Sequence, residues 1–567
     1  MRVDRASVGG ALGALILFAL FVGFFRPGYV QWGVDSLWVA TLVLWGATIR
    51  RISGTTLLRS WPSARGLVLL GALLAIFAAC WLPFYDNWRW AYTGDSVAWF
   101  SSAEGLAQHG LVLNLLSVHG VDNNFTLLHT LGFNALLFVF EPTLFWHRVG
   151  KLIASGLSLA AIYMYFATTI GRRAAVAVLI GTATNFVWLW FSYVSYGHID
   201  SHIFYFSTLT MAALIWREPD RLGLWMLCGL VGGVALFFTQ TSWSAVAAVG
   251  IVLGVFALAT RRLPSAMVYG ISFGLAGGPV LVQLTDLLTM TTRQAGSIYT
   301  VEYLQRIFTT ILCLPFESPH LGAGVNGAFL RWPFGRLYVV GCALALIAIV
   351  PPVRRWLRIP AVAPVLLALL VWDAVLMTVT NGGYGTPSTK RTYNLIPLQV
   401  FFALLPMLVV DAWAMRWRWS RYLSGAAIGG GLGVYAVFNL LVIAQPAPGV
   451  YGVNVFDGLI ELRQRFPERR VLFLTSQAAY ADTFAPDSFL QRAYRVPEQL
   501  TIDMRFEDAT VTGACEAHLL LCYEPNADKP RFRPLLARFD RALRPFPLLN
   551  SFEMVCYDCV TSEAASP

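Results

Sequence analysis

The sequence predicts an all-α polytopic membrane bundle of about thirteen transmembrane helices, followed by a small C-terminal α/β domain outside the cytoplasm. Three observations lead to this fold class. Only 13% of the 567 residues are charged and 57% are apolar or aromatic, whereas roughly one-quarter of the residues of a soluble domain are charged. Fourteen apolar runs approach the ~17 to 25 residues that cross hydrocarbon. After Gln445 the composition becomes that of a soluble protein.

Basic residues outnumber acidic ones, 41 to 31. In a soluble protein this excess would favour a nucleic-acid partner, but here the basic residues form short clusters between apolar runs. We therefore interpret them as topology signals and expect no nucleic-acid partner. Residues Met1–Arg5 precede an apolar run, and no small-residue cleavage site follows Phe25. This pattern predicts an uncleaved first helix with a cytoplasmic N-terminus.

The apolar runs set the candidate spans, and the arginine clusters between them set the orientation. Clusters such as Arg50–Arg51, Arg261–Arg262 and Arg354–Arg355 place their connectors in the cytoplasm. The orientations assigned by counting spans from the N-terminus and from the C-terminus agree only if one early run does not cross the membrane. The fourteen runs begin near Gly9, Gln31, Gly66, Asn124, Lys151, Ala174, Ser201, Gly223, Trp243, Ser265, Arg336, Ala361, Asn394 and Leu423.

The run from Asn124 to Phe140 is the one predicted not to cross, because it is the shorter and more polar of the two early candidates. We interpret it as a half-buried or re-entrant helix. This choice leaves Arg148 and Lys151 outside, against the charge rule, by which Lys and Arg favour the cytoplasmic side of a membrane. The alternative is that a different early segment is misassigned. The larger external regions are then residues 85–150, 286–335 and everything after 444.

The chain accordingly divides into a membrane domain, 1–444, and a soluble extracytoplasmic domain, 445–567. In the second domain, four short apolar runs separated by helix-compatible stretches predict an α/β fold. They lie at 471–475, 500–504, 518–523 and 552–560. An oxidising compartment makes this domain's cysteines disulfide candidates. A zinc site using the last two is the alternative. These cysteines are Cys515, Cys522, Cys556 and Cys559.

Asp95 is the most informative acidic residue. It follows Gly94 in the first large external loop, just before a segment with helical spacing. Asp95 could cap that helix, or it could act as a general base at the membrane surface. The two roles are compatible, because capping fixes the position of a carboxylate. Glu104 and Glu302 are further external acids that could take its place as base, although solvation is their default role.

Further external residues combine polar and basic character. Asp200 either caps the helix that starts at Ser201 or binds substrate. His198 and His202 are four residues apart and could form a metal site with Asp200, although a helix-end histidine is commoner. Lys390 and Arg391 also lie outside, against the charge rule. This favours a function for the pair over interfacial snorkelling.

Taken in order, the motifs of residues 1–444 resemble the GT-C superfamily of polytopic glycosyltransferases. That superfamily includes protein mannosyltransferases, aminoarabinose transferases and oligosaccharyltransferase subunits. Its members carry an essential acid in a large external loop, and Asp95 occupies that position here. Because Ser96 follows it, the double-acid form is absent, which weakens a metal-binding role. The other motifs are Phe125–Thr130, Gly171–Ala175, Ser195–Asp200 and Lys390–Pro397.

The resemblance implies a membrane enzyme that transfers a hexosyl or pentosyl group from a polyprenyl-phosphate donor to a lipid, glycan or protein acceptor outside the cytoplasm. Transfer would invert the anomeric centre, with Asp95 as base. Lys390 and Arg391 would grip the leaving phosphate. The resemblance implies no certain cofactor and allows a divalent metal. The implied substrate-binding residues are His129, His198, Asp200, Lys390, Arg391 and Tyr393. We expect a bacterial inner-membrane protein.

Two other classes of function remain open. A transporter or flippase of lipid-linked glycans should carry ionisable residues within its spans. The spans here are nearly free of charge, which favours an enzyme. A non-enzymatic membrane scaffold would have no cavity among Asp95, Asp200 and Arg391.

Overall fold

A computed structural model gives the fold of the chain. It describes residues 5–25, 32–53, 64–82, 144–185, 200–238, 242–283, 333–380, 395–414 and 420–444, four strands between residues 470 and 557, and isolated positions between 103 and 192.

Helices dominate these residues. Two of the fifteen described helices, α10 and α12, are short and lie between longer ones. In chain order the helices are α1 Arg5–Phe24, α2 Trp32–Ser53, α3 Ala64–Trp81, α4 Leu144–Thr169, α5 Arg172–Ala183, α6 His202–Arg217, α7 Leu222–Phe238, α8 Trp243–Ala259, α9 Leu263–Ala276, α10 Gly278–Val282, α11 Pro333–Ile347, α12 Pro351–Leu357, α13 Ala363–Thr380, α14 Ile396–Ala414 and α15 Ser420–Ala444.

Each longer helix lies on one of the predicted apolar runs. This is expected in lipid, where backbone N–H and C=O groups find hydrogen-bond partners only within the helix. The run predicted not to cross lies almost wholly outside the described residues, so the count of thirteen spans stays a prediction. Among the described residues, three helices are long and apolar enough to cross a membrane, and shorter apolar helices accompany them. The three are Ala6–Phe24, Phe145–Thr169 and Ile396–Ala414.

Aromatic rings pack in the interior of the bundle, and large apolar side chains are exposed on its outside. Inside, the ring of Phe166 lies 5.4 Å from that of Phe401 and 6.1 Å from that of Phe206, joining α4, α6 and α14. Outside, Val43 of α2 is 67% exposed and Val68 of α3 is 73% exposed. An apolar exterior of this kind fits lipid and would be unfavourable in water.

One end of the bundle carries the turns that are rich in arginine. The turn between α6 and α7 is joined to the turn between α8 and α9 by an ion pair of Asp220 and Arg262. Arg358, after α12, donates to the carbonyl of Ala412 near the end of α14. We call this the basic end. The opposite end, where α4, α6 and α8 begin and α13 finishes, is called the polar end.

Two glycines are required by the local geometry. Gly171 has φ 96°, a left-handed conformation that favours glycine, in the turn between α4 and α5. Gly341 of α11 lies against the backbone of α14, where an added Cβ would fall within 1.8 Å of the Phe402 carbonyl oxygen. Gly171 therefore permits the turn, and Gly341 sets how closely α11 and α14 approach.

The C-terminal strands fall on the four apolar runs predicted for that region. They are β3 Arg470–Leu474, β4 Ile502–Arg505, β5 His518–Tyr523 and β6 Met554–Tyr557. They form one sheet in the order β4-β3-β5-β6, with β3 parallel to β4 and β5, and β5 antiparallel to β6. The connections between the strands lie outside the described residues, so the α/β class and the domain limits stay predictions. A two-stranded hairpin, β1 Ser117–Val118 and β2 Val121–Asp122, lies in the first large loop.

The α11–α14 contact leads to a first prediction. Gly341→Ala should lower the stability of the purified protein by about 1 to 3 kcal/mol, because the new methyl group meets the backbone of α14. Gly254→Ala in α8 is the matched control, since a Cβ there meets nothing within 4 Å. Unfolding in mixed dodecylmaltoside and SDS measures both variants. Equal stability of the two would contradict the close contact.

Candidate functional site

Most of the residues predicted to act on substrate lie outside the described part of the chain. Asp200 is the exception. Cys522 and Cys556 lie in β5 and β6, where Cys522 pairs in register with Val555 and Cys556 with Leu521. Every predicted role stays a prediction, including those of Asp200, Cys522 and Cys556. The residues outside the described ranges are Asp95, Glu104, His129, His198, Glu302, Lys390, Arg391 and Tyr393, with Cys515 and Cys559.

Asp200 forms a buried ion pair with Lys151. The Lys151 Nζ lies 2.6 Å from the Asp200 Oδ2, and both side chains are 0% exposed. Lys151 lies in the second turn of α4, and Asp200, 49 residues later, lies two residues before α6 begins. Charges withdrawn from water persist only when they are paired, so this contact fixes the start of α6 against α4.

Two more basic side chains lie beside Lys151. Arg148 is 2% exposed and His147 is 1% exposed, both one turn earlier on α4. Spacing of three to four residues places 147, 148 and 151 on neighbouring positions of one helix face. The charge rule had counted Arg148 and Lys151 as unexplained cations outside the cytoplasm. Their burial explains the exception, because these two cations make contacts inside the bundle and do not determine its orientation in the membrane.

The residues after Asp200 bear on two alternatives from the sequence: a cap at the start of α6, and a metal site formed by Asp200 with His198 and His202. Ser201, at the N-cap of α6, makes no side-chain capping hydrogen bond. The ring of His202 packs between Trp188 at 5.1 Å and Phe206 at 5.8 Å. This matches the ordinary aromatic environment expected of a helix-end histidine. Within the described ranges, no group of three or more His, Cys, Asp or Glu side chains could hold a metal. His198 lies outside those ranges.

A second layer of hydrogen bonds lies below the ion pair. The Tyr205 hydroxyl, on α6, donates to the Asp373 Oδ2 of α13 over 2.6 Å. The Trp372 indole, also on α13, donates to the Ser244 carbonyl of α8 over 3.1 Å. The Ser242 hydroxyl donates to the Ser201 carbonyl over 3.1 Å. Helices α6, α8 and α13 are thereby joined at the polar end.

Asp373 was missed in the sequence, where the spans read as nearly free of charge. It is 1% exposed and lies in the second half of α13. An ionisable side chain within an apolar helix is itself the signal that could have identified it. Gln399, in the first turn of α14, was missed as well. Its side chain is 2% exposed, and within the described chain neither amide atom has a hydrogen-bond partner.

The arrangement brings charged and polar side chains from α4, α13 and α14 and from the start of α6 to one end of the bundle. Lys151 and Arg148 supply cationic groups, while Asp200 and Asp373 supply carboxylates. Gln399 adds an amide that can both donate and accept. Such a set can bind an anion or polar ligand in surroundings of low dielectric, where charge interactions are stronger than in water.

No protein-family model matches the chain, and no curated protein matches it significantly. Its structure is similar to ArnT, the aminoarabinose transferase, from Cupriavidus metallidurans. The apo form has a TM-score of 0.49 and 13% identity, covering 89% of this chain and 100% of that one. The form bound to undecaprenyl phosphate has a TM-score of 0.44 and 15% identity, with the same coverage.

The chain is also similar to the archaeal oligosaccharyltransferase AglB from Archaeoglobus fulgidus, in complex with an inhibitory peptide and a dolichol-phosphate. This match has a TM-score of 0.44 and 12% identity, covering 84% of this chain and 73% of that one. Both enzyme classes are among those that the sequence motifs resemble. Likenesses with TM-scores below 0.5 carry no residue role over to this chain.

The buried ion pair leads to a second prediction. Lys151→Met should destabilise the protein by about 3 to 5 kcal/mol, because it leaves the Asp200 carboxylate buried without its cation. The double variant Lys151→Met with Asp200→Asn should recover part of that loss. Unfolding of both variants and of Asp200→Asn completes a double-mutant cycle. Additive effects would mean that the two side chains do not interact.

The lower layer leads to a third prediction. Tyr205→Phe should cost about 1 to 3 kcal/mol, because it removes a hydrogen bond to the buried carboxylate of Asp373. Tyr163→Phe, on α4, is the matched control. Tyr163 is equally buried, and in the described part of the structure its hydroxyl has no hydrogen-bond partner. The same unfolding assay compares them, and an equal loss in both would argue against the Tyr205–Asp373 contact.

Proposed function

We propose that this protein is a membrane glycosyltransferase that moves a sugar from a polyprenyl-phosphate donor to an acceptor outside the cytoplasm. The observation that carries the proposal is the buried group of Lys151, Asp200 and Arg148 at the polar end. Buried charges at one end of an apolar bundle are expensive to maintain, and they are characteristic of functional sites.

The chain's connectivity supports a role for the predicted catalytic loops at this end. The loop that carries Asp95 and Glu104 leads directly into α4, two turns before Lys151. The loop that carries Lys390 and Arg391 joins the end of α13 to the start of α14. Both loops therefore enter or leave the bundle where the buried charges lie.

The proposed orientation of the protein in the membrane follows from its arginines. Lys and Arg residues favour the cytoplasmic side, so we assign the basic end to the cytoplasm and the polar end to the opposite side. A polyprenyl-phosphate sugar keeps its tail in the bilayer and its phosphate at the surface. The polar end is where that phosphate meets the protein, and an inner membrane of a bacterium supplies such a lipid. The domain of residues 445–567 would cover the site or help to bind the acceptor, which is a lipid, glycan or protein.

The reaction is a single displacement. The acceptor hydroxyl attacks the anomeric carbon while Asp95 takes its proton. The bond from that carbon to the phosphate oxygen breaks, and polyprenyl phosphate leaves with the electron pair. Lys390 and Arg391 stabilise the negative charge on the departing phosphate. One displacement inverts the anomeric configuration. Asp200, His129, His198 and Tyr393 are proposed to bind the substrates.

The alternative is a transporter or flippase of lipid-linked glycans. Asp373 favours it to a degree, since ionisable groups within helices often mark a transport pathway. The two functions separate chemically, because only a transferase releases polyprenyl phosphate from the donor. A flippase moves the intact donor between leaflets.

The fourth prediction tests the base. Proteoliposomes receive a panel of radiolabelled polyprenyl-phosphate hexoses and pentoses, and release of undecaprenyl phosphate is measured. Asp95→Asn should lower transfer by about 100- to 10,000-fold, the usual contribution of a general base. Glu104→Gln and Glu302→Gln are controls that should retain activity. Full activity of a folded Asp95→Asn protein would remove the assigned base, and donor translocation without release would favour the flippase.

The same assay addresses a metal requirement. Dialysis against EDTA, followed by addition of Mn²⁺ or Zn²⁺, separates a metal-dependent transferase from one that works through Asp95 and the cationic residues alone. Restoration of lost activity by either ion would add the metal to the proposed site.

A further inference from the structure

We infer that helix α12 and the turn after it form a binding surface for anionic phospholipid head groups at the basic end of the bundle. We call residues Pro351–Pro360 the basic platform. This inference is independent of the proposed transferase activity. It rests on charge, exposure and local geometry at the end of the molecule opposite to the candidate site.

The platform combines cations with an exposed aromatic residue. Arg354, Arg355 and Arg358 lie within five residues, and none of the seven residues of α12 is buried. Trp356, between the arginines, is 68% exposed. Ile349, just before the helix, is 62% exposed. Arginine with tryptophan and aliphatic residues on a short helix is typical of a segment that lies in the membrane interface.

The arginines of the platform differ from those of the neighbouring turns. Arg221 pairs with Glu218, and Arg262 pairs with Asp220. Each of these two arginines therefore already has a carboxylate partner within the protein. By contrast, neither Arg354 nor Arg355 has an ion-pair partner within the described residues. These two guanidinium groups retain their capacity to bind an anion from outside.

The platform is also held in a fixed position. Arg358, in the left-handed conformation with φ 58°, ends α12 and donates to the Ala412 carbonyl over 2.7 Å. The Trp413 indole donates to the Leu357 carbonyl over 3.1 Å. The rings of Trp356 and Trp413 meet edge to face at 6.0 Å. A surface that is fixed before binding loses less entropy when it binds.

The chemistry of the ligand follows from these groups. Guanidinium groups bind phosphate oxygens with two parallel hydrogen bonds, and tryptophan favours the head-group region. Short connections to α11 and α13 hold the platform at the ends of membrane-embedded helices. The ligand is therefore a phosphate that already lies at this depth, namely the head group of an anionic lipid such as phosphatidylglycerol.

Titration of delipidated full-length protein with lipid, followed by native mass spectrometry, tests the inference. The wild-type protein should bind dioleoyl-phosphatidylglycerol more tightly than dioleoyl-phosphatidylcholine. The double variant R354Q/R355Q should weaken phosphatidylglycerol binding by about fivefold per arginine, or roughly 25-fold. Binding of phosphatidylcholine should not change. Because both side chains are outside the core, unfolding in detergent should match the wild type.

The matched control is R172Q/R173Q, which removes two exposed arginines at the same end, from the first turn of α5. It should keep the preference for phosphatidylglycerol. Equal losses in the two double variants would overturn the platform, since charge alone would then explain binding. Equal affinity of the wild type for both lipids would overturn it as well. Displacement by excess inorganic phosphate would indicate a free phosphate site instead. Trp356→Gln gives an independent variant, and we expect it to weaken binding too.

Discussion

The buried contact between Lys151 and Asp200 is the constraint on which the polar end depends. In an apolar bundle either charge alone would be strongly unfavourable, so α4 and α6 can associate stably only in the register that joins the two side chains. Apolar packing between helices tolerates small displacements along the axis, whereas an ion pair at 2.6 Å does not. The pair therefore adds positional specificity to helices that are otherwise held by van der Waals contact.

Below this pair, the hydrogen bonds of Tyr205 and Trp372 extend the same constraint to α13 and α8. Directional contacts thus join the helices at the polar end, and aromatic rings such as those of Phe166 and Phe401 add apolar contacts between α4 and α14. This division suits a protein in lipid. Directional contacts fix the side chains that a ligand would meet, and apolar contacts hold the helices together at little desolvation cost.

The helices could be predicted because apolar runs of spanning length have few alternatives in lipid. The strands of the C-terminal sheet could also be located, but their order could not, since nothing in the runs shows that β3 lies between β4 and β5. Arg148 and Lys151 could be placed outside only against the preference of Lys and Arg for the cytoplasm, because that rule treats every cation as an orientation signal. Their partner Asp200 is 49 residues away, and a contact at that separation depends on how α4 and α6 pack. Asp373 was overlooked because one carboxylate barely changes the hydropathy of an 18-residue helix.

Helix α13 connects the two ends of the molecule. It begins just after the basic platform and carries Asp373 in its second half. Its 18 residues extend about 27 Å, close to the thickness of a bilayer's hydrocarbon core. If lipid head groups fix Arg354 and Arg355 at one surface, they also fix the depth of α13. The start of the Lys390–Arg391 loop then lies near the opposite surface, where a lipid phosphate would be found. The length of α13 would in this way set the distance between the platform and the loop at the opposite surface.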